Sequence, residues 1–183
     1  MKYSPVLLFL VLLFISGCEP RESIKSPSQS GVNYAAKNIK PNVPIYDSFD
    51  DLEYILKYEN DTTYVINFWA TWCKPCVKEL PYFDKLYDEY QNEKVRIILV
   101  SLDFPKQIES KLIPYIMKNN LKPEVMVLTD GNANAWLGRV DKQWDGAIPI
   151  TLIYNKKERD FVFGDVSNYE ELKSRVDPLI NIN

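Results

Sequence analysis

The stretch Thr63-Tyr64-Val65-Ile66-Asn67-Phe68-Trp69 runs directly into Ala70-Thr71-Trp72-Cys73-Lys74-Pro75-Cys76, and this junction restricts how the chain can fold more than any other feature. Apart from Asn67, the first seven residues are β-branched or aromatic, which suits a packed strand. Beyond the cysteines, Val77, Leu80, Phe83, Leu86, Tyr87 and Tyr90 recur at helical spacing and predict a helix with one apolar face. The cysteines therefore fall on that helix's first turn, where unpaired amides and the macrodipole favour negative charge. A thiolate is such a charge, so the placement lowers a thiol's pKa.

Composition removes several uses for these thiols. The formal net charge of -3 supplies no basic surface for nucleic acid, and 6 Gly in 183 residues include no phosphate-cradling loop. The chain has 3 Cys, at positions 18, 73 and 76, and no His. Two thiols are too few for a structural zinc site, Val77 after Cys76 breaks the haem-attachment pattern, and a Cys–His nucleophile pair is impossible. No metal and no cofactor is expected. Cys73 and Cys76 are left as a redox pair or a passive structural pair.

Residues 1–17 read as a signal peptide. Lys2 gives a positive start, Val6 to Ile15 is apolar and too short to span a bilayer comfortably, and small residues follow. Ile15-Ser16-Gly17-Cys18 resembles the bacterial lipobox, which would make Cys18 a lipid anchor in the membrane. The alternative is an ordinary secretory peptide with Cys18 as a spare thiol. Either way the domain is expected outside the cytoplasm, in a periplasmic or cell-surface space. Residues 18–42 are polar and rich in Ser and Pro, a composition that cannot offset its ordering entropy, and read as a flexible tether.

The domain is expected at 43–183. Asp47 or Ser48 caps a helix burying Phe49, Leu52, Ile55 and Leu56, and Asn60-Asp61 ends it before the Thr63–Trp69 strand. The cysteine helix runs to about Tyr90 with a kink at Pro81. A continuous apolar run, Val95 to Val100, fits a strand covered on both faces. A helix from Pro105 to Asn119, kinked at Pro114, leads to a strand Val125–Leu128 and a short helix Ala133–Val140. Ile150–Tyr154 and Arg159–Phe163 form a hairpin, and Ser167-Asn168-Tyr169-Glu170 reads as a capping box opening a last helix. Strands alternating with helices predict an α/β fold, with a mostly parallel central sheet, a C-terminal antiparallel hairpin and helices on both faces.

Cys73-Lys74-Pro75-Cys76 after Asn67-Phe68-Trp69-Ala70-Thr71-Trp72, followed by Glu79 and Pro81, resembles the thioredoxin superfamily. It is closest to the TlpA/ResA-like extracytoplasmic thiol-disulfide oxidoreductases of that superfamily. Ile148-Pro149-Ile150-Thr151 matches the family's cis-proline segment, and the resemblance covers 43–183 with an inserted helix–strand unit near 105–128. It implies a thioredoxin-like fold in which Cys73 attacks and Cys76 resolves through a redox-active Cys73–Cys76 disulfide. Glu79 would modulate cysteine protonation, the alternative being a solvated surface glutamate; Asn67 stands where plain thioredoxins carry a buried Asp. Trp72, Lys74, Pro75, Ile148 and Pro149 would form the substrate-binding surface. Trp69, Trp136 and Trp144 are assigned to packing, with Trp144 also near the groove.

These residues point to a membrane-anchored oxidoreductase that reduces protein disulfides, fed by a membrane electron donor and acting on protein thiols and disulfides. Without His between its cysteines, the motif is a poor match to strongly oxidising variants of the superfamily. The alternatives are an oxidase or isomerase on the same fold and a non-catalytic peptide-binding module. A peroxidase using Cys73 would want a Thr/Pro-rich motif that the sequence lacks.

Overall fold

The computed structural model describes residues 40–180. The expected signal peptide, Cys18 and most of the tether lie outside these residues. Of the tether, 40–42 are described: Pro41 is buried, and Lys40 pairs with Glu109 at 2.8 Å.

The strands are β1 (Ile45–Tyr46), β2 (Thr63–Trp69), β3 (Val95–Ser101), β4 (Glu124–Leu128), β5 (Ile150–Tyr154) and β6 (Arg159–Phe163). They form one sheet in the order β1-β4-β3-β2-β5-β6. Pairings from β1 to β2 are parallel, while β2–β5 and β5–β6 are antiparallel. This is the expected α/β architecture with its antiparallel hairpin. β1 was not expected, because two residues carry no readable period. It adds an edge strand beside β4.

The helical segments are α1 (Phe49–Leu52), extended by a 3-10 turn (Glu53–Leu56), then α2 (Lys74–Tyr90), α3 (Pro105–Gln107), a π-helical turn (Ile108–Leu112), α4 (Ile113–Asn119), α5 (Ala133–Val140) and α6 (Tyr169–Ile180). Alternation along the strands divides the core in two. Val65, Trp69, Ile97, Leu99 and Ile153 point to a core closed by Leu80, Phe83, Leu112, Ile116, Leu172 and Val176, from α2, the π turn, α4 and α6. Ile66, Phe68, Ile98, Val100 and Leu152 point to the opposite core, closed by α1 and α5 through Phe49, Leu52, Trp136 and Val140. β2 lies in the middle, and all seven of its residues are buried.

Pro81 and Pro114, the positions expected to kink helices, are accommodated in different ways. α2 continues through Pro81, which lies on the exposed side, where water can serve the Val77 carbonyl that its missing N–H leaves unpaired. Pro114 is preceded by the π turn, in which the Ile113 N–H reaches the Ile108 carbonyl. Pro114 has no N–H for the Ser110 carbonyl, and the wider turn absorbs the clash its ring would make there. At α6 the capping residues sit one position later than expected. Asn168 Oδ1 accepts the Glu171 N–H at 3.0 Å, and Glu171 Oε2 accepts the Ser167 N–H at 2.8 Å.

Phe83 is fully buried where α2 meets the sheet. Phe83→Ala should destabilise the domain by about 3–5 kcal/mol, read as a lowered urea midpoint; a loss below about 1 kcal/mol would contradict this packing.

Candidate active site

Strand register brings the expected site residues to one end of the sheet. Trp69, the last residue of β2, pairs with Ser101 at the end of β3, and Phe68 pairs with Ile150 at the start of β5. The segments leaving β2 and β3 and the segment entering β5 therefore meet there. They carry Cys73, Phe104 and Pro149 respectively.

The turn after β2 closes with the Cys73 N–H on the Ala70 carbonyl at 3.1 Å. Cys73 is the N-cap of α2, its Sγ accepting the Cys76 N–H at 3.3 Å, and Lys74 and Pro75 open the helix. Pro75 sits where a helix amide has no carbonyl to reach, so it fits without losing a bond. Cys73 and Cys76 are joined as a disulfide, with Cys73 at 6% exposure and Cys76 at zero. The outer sulfur is thus the one a partner can approach. A Cys76 amide aimed at Cys73 Sγ favours negative charge on that sulfur once the bond is reduced.

The opposite wall is the Ile148–Pro149 segment, whose peptide bond is cis as the resemblance implied. The Ile148 carbonyl oxygen lies 3.6 Å from Cys73 Sγ. In the disulfide the sulfur has no hydrogen, so this is a contact; a reduced thiol there could donate. The segment is held from behind. Trp144 is buried, packs with its ring tilted against Phe68 at 5.0 Å and donates its Nε1–H to the Ala147 carbonyl at 2.7 Å, while the Gly164 N–H donates to the Pro149 carbonyl at 3.1 Å. Trp144 thus supports the wall and does not line it. Trp69 is fully buried against Tyr115, and Trp136 packs between Phe49 and Trp144.

Glu79 is 1% exposed, which rules out a solvated surface glutamate. Its Oε1 accepts from Asn67 Nδ2 at 2.8 Å and its Oε2 from the Val166 N–H at 2.9 Å. Burial pushes its pKa from the ordinary value of 4.5 up to about 7, against the two hydrogen bonds and with help from the charges of Asp165 and Glu171. Asn67 Nδ2 also reaches Thr151 Oγ1 at 3.0 Å and the Ile150 carbonyl at 3.3 Å, while its Oδ1 has no hydrogen-bond partner among the described residues. Asn67 and Glu79 form one unit, a link that separate inspection of the two positions misses. Alternation in β2 carries the signal: Asn67 shares the parity of Val65 and Trp69 and so faces α2.

A second buried carboxylate went unnoticed in the sequence. Asp103, 1% exposed, accepts from the Thr71 N–H at 3.0 Å, Thr71 Oγ1 at 2.5 Å and Ser101 Oγ at 2.9 Å. It pins the cysteine turn to the end of β3. Beyond it, Phe104 stacks on Trp72 with ring centroids 6.0 Å apart and planes at 18°. Among the described residues no cluster of His, Cys, Asp and Glu is arranged to hold a metal ion.

Because the folded pKa of Glu79 lies above its unfolded value, folding is undisturbed below about pH 4.5 and penalised as pH rises through about 7. The wild type should lose on the order of 3 kcal/mol relative to Glu79→Gln between about pH 5 and 8. Urea midpoints across that range measure it; parallel curves for the two proteins would refute the buried titration.

Comparison with known proteins agrees with this geometry. The chain is 47% identical over 49 residues to the thiol-disulfide oxidoreductase ResA of Oceanobacillus iheyensis, covering 27% of this chain and 26% of the relative. A 41-residue match to ResA of Geobacillus thermodenitrificans is 51% identical, covering 22% and 24%. The chain thus spans about a quarter of the length of these curated relatives. Among solved structures, a thioredoxin-related protein from Neisseria meningitidis serogroup B is similar with a TM-score of 0.54 at 24% identity, over 68% of this chain and 89% of that one. The fold is thioredoxin-like, as the motifs implied. A family model covers residues 49–159, and the chain belongs to the AhpC/TSA family.

Proposed function

We propose that this protein is an extracytoplasmic thiol-disulfide oxidoreductase that reduces disulfides in other proteins. The carrying observation is the Cys73–Cys76 disulfide at the N-terminus of α2, with the outer sulfur facing the Ile148–Pro149 wall. The local likeness to ResA, named a thiol-disulfide oxidoreductase, supports it.

In the reduced protein the Cys73 thiolate attacks one sulfur of a client disulfide. An S–S bond forms between Cys73 and the client, the client's own S–S bond breaks, and the departing client thiolate takes up a proton. Cys76, deprotonated in turn, attacks Cys73 Sγ and expels the second client thiolate. Two electrons have passed to the client, and the Cys73–Cys76 disulfide is restored. Lys74 and Pro75 shape the turn between the sulfurs, and Trp72, Ile148 and Pro149 form the surface on which the client lies. Glu79 holds or gives up a proton on the buried side of the cysteines, with Asn67 orienting its carboxyl.

The direction of transfer is assigned from electrostatics. Strong oxidants of this kind owe their potential to a stabilised thiolate in the reduced state. Here the helix amides favour a Cys73 thiolate, but the Ile148 carbonyl oxygen at 3.6 Å opposes it. The absence of His between the cysteines also fits a reductant better than a strong oxidant. Such a protein in an oxidising space needs a supply of electrons, and a membrane protein passing them from the cytoplasm is the proposed donor. Cys18, lipid-modified after cleavage of residues 1–17, would hold the domain at the membrane on the 18–42 tether.

Cys76→Ser should trap client proteins as mixed disulfides through Cys73, visible on non-reducing gels and lost in a Cys73→Ser/Cys76→Ser double variant; the absence of adducts from cells would remove the assigned roles. Equilibration with glutathione buffers should give a potential more negative than about −200 mV, and one near the strongly oxidising value of about −120 mV would reverse the direction. Cys18→Ser should move the protein from the membrane to the soluble fraction; unchanged fractionation would remove the anchor.

A further inference from the structure

We propose that Phe104 and Trp72 form an apolar shelf beside Cys73 that selects clients carrying a large apolar side chain next to the cysteine under attack. This inference rests on the thiol-exchange reading and names the substrate class for it. Phe104 is 61% exposed and Trp72 47%, although both are large aromatic side chains. Their rings stack on one another, so each covers one face of its partner and leaves the rest to solvent. An exposed apolar pair beside a reactive group is the kind of surface that recognition uses.

Both rings stand on fixed backbone. Phe104 is the N-cap of α3 in extended conformation, a conformation that Pro105 imposes on the residue before it. On the other side, Asp103 grips the Thr71 amide and hydroxyl, tying the Trp72 turn to the segment that carries Phe104. The shelf is therefore preorganised, which lowers the ordering cost of binding. The Asp103 carboxylate is buried and turned towards Thr71 and Ser101, so the charge nearest Phe104 along the chain does not face the shelf. The open faces of the two rings are themselves apolar, and an apolar side chain suits them.

Position identifies that occupant as the client segment itself. Trp72 immediately precedes Cys73, so a disulfide reaching Cys73 Sγ brings the residues flanking its own cysteine alongside the shelf. The wall on the other side meets the sulfur with a backbone carbonyl, that of Ile148, which does not read side chains. On the Trp72 side, the exposed rings of Trp72 and Phe104 are what a side chain next to the client's cysteine meets.

The test uses the reduced full chain and pairs of disulfide-linked peptides differing only in Phe or Ser beside the cysteine. Each rate is normalised to the same variant's rate with hydroxyethyl disulfide. The wild type should prefer the Phe peptide by about tenfold in kcat/KM, mainly through KM. Phe104→Ala should bring the ratio close to one, and Phe104→Leu should keep part of it. A wild type without preference, or a preference unchanged in Phe104→Ala, overturns the shelf while leaving thiol exchange standing. A reduced wild type inert towards hydroxyethyl disulfide overturns both readings.

Discussion

The burial of β2 on both faces governs the rest of the structure. Every residue from Thr63 to Trp69 is out of solvent, and one of them, Asn67, has polar side-chain atoms in the middle of the strand. A buried amide without partners costs roughly 1–3 kcal/mol, so the surrounding elements have to supply them. They do so from three directions at once: Glu79 from α2, Thr151 and the Ile150 carbonyl from β5, and Val166, beyond β6, through Glu79. The polar knot around the Asn67 Nδ2 group also ties the cysteine helix to the sheet.

That position places Cys73 between opposing influences. A helix N-terminus and an aimed amide favour a thiolate by roughly 0.3–1 kcal/mol when exposed, more when partly buried. The Ile148 carbonyl oxygen, 3.6 Å from the sulfur, acts against it. A disulfide closing so short a loop adds little to folding stability, because few unfolded conformations are removed by it. The bond can be opened and closed without placing the fold at risk.

Most of the architecture was legible because it follows from periodicity. The continuous apolar run Val95 to Val100, whose residues divide between the two cores, and the helical recurrence of Leu80, Phe83 and Leu86 are strong local signals. The cysteines and Pro149 were legible as motifs. Long-range polar pairing was not. Asp103 reads as an ordinary loop acid until strand register places it beside Thr71, 32 positions earlier in the chain. Glu79 left two readings open because helical spacing gives its face but not what covers that face. The π turn before Pro114 arises from how one helix resolves a local clash, and a periodic pattern tolerates either outcome.

The two buried carboxylates at this end of the sheet, equally inaccessible, suit different tasks for a physical reason. Asp103 accepts hydrogen bonds from one amide and two hydroxyls, and two of those three donors belong to the cysteine turn itself. Its geometry is spent on holding Thr71 in place. Glu79 accepts one bond at each oxygen, too few to offset its burial, so its pKa rises into the neutral range. A carboxyl whose two forms are close in free energy near neutrality can exchange a proton at low cost, whereas one gripped on both oxygens by the turn it anchors is suited to staying still. One acid thus holds the cysteine turn against the end of β3, and the other, on the cysteine helix, can change its protonation near neutral pH.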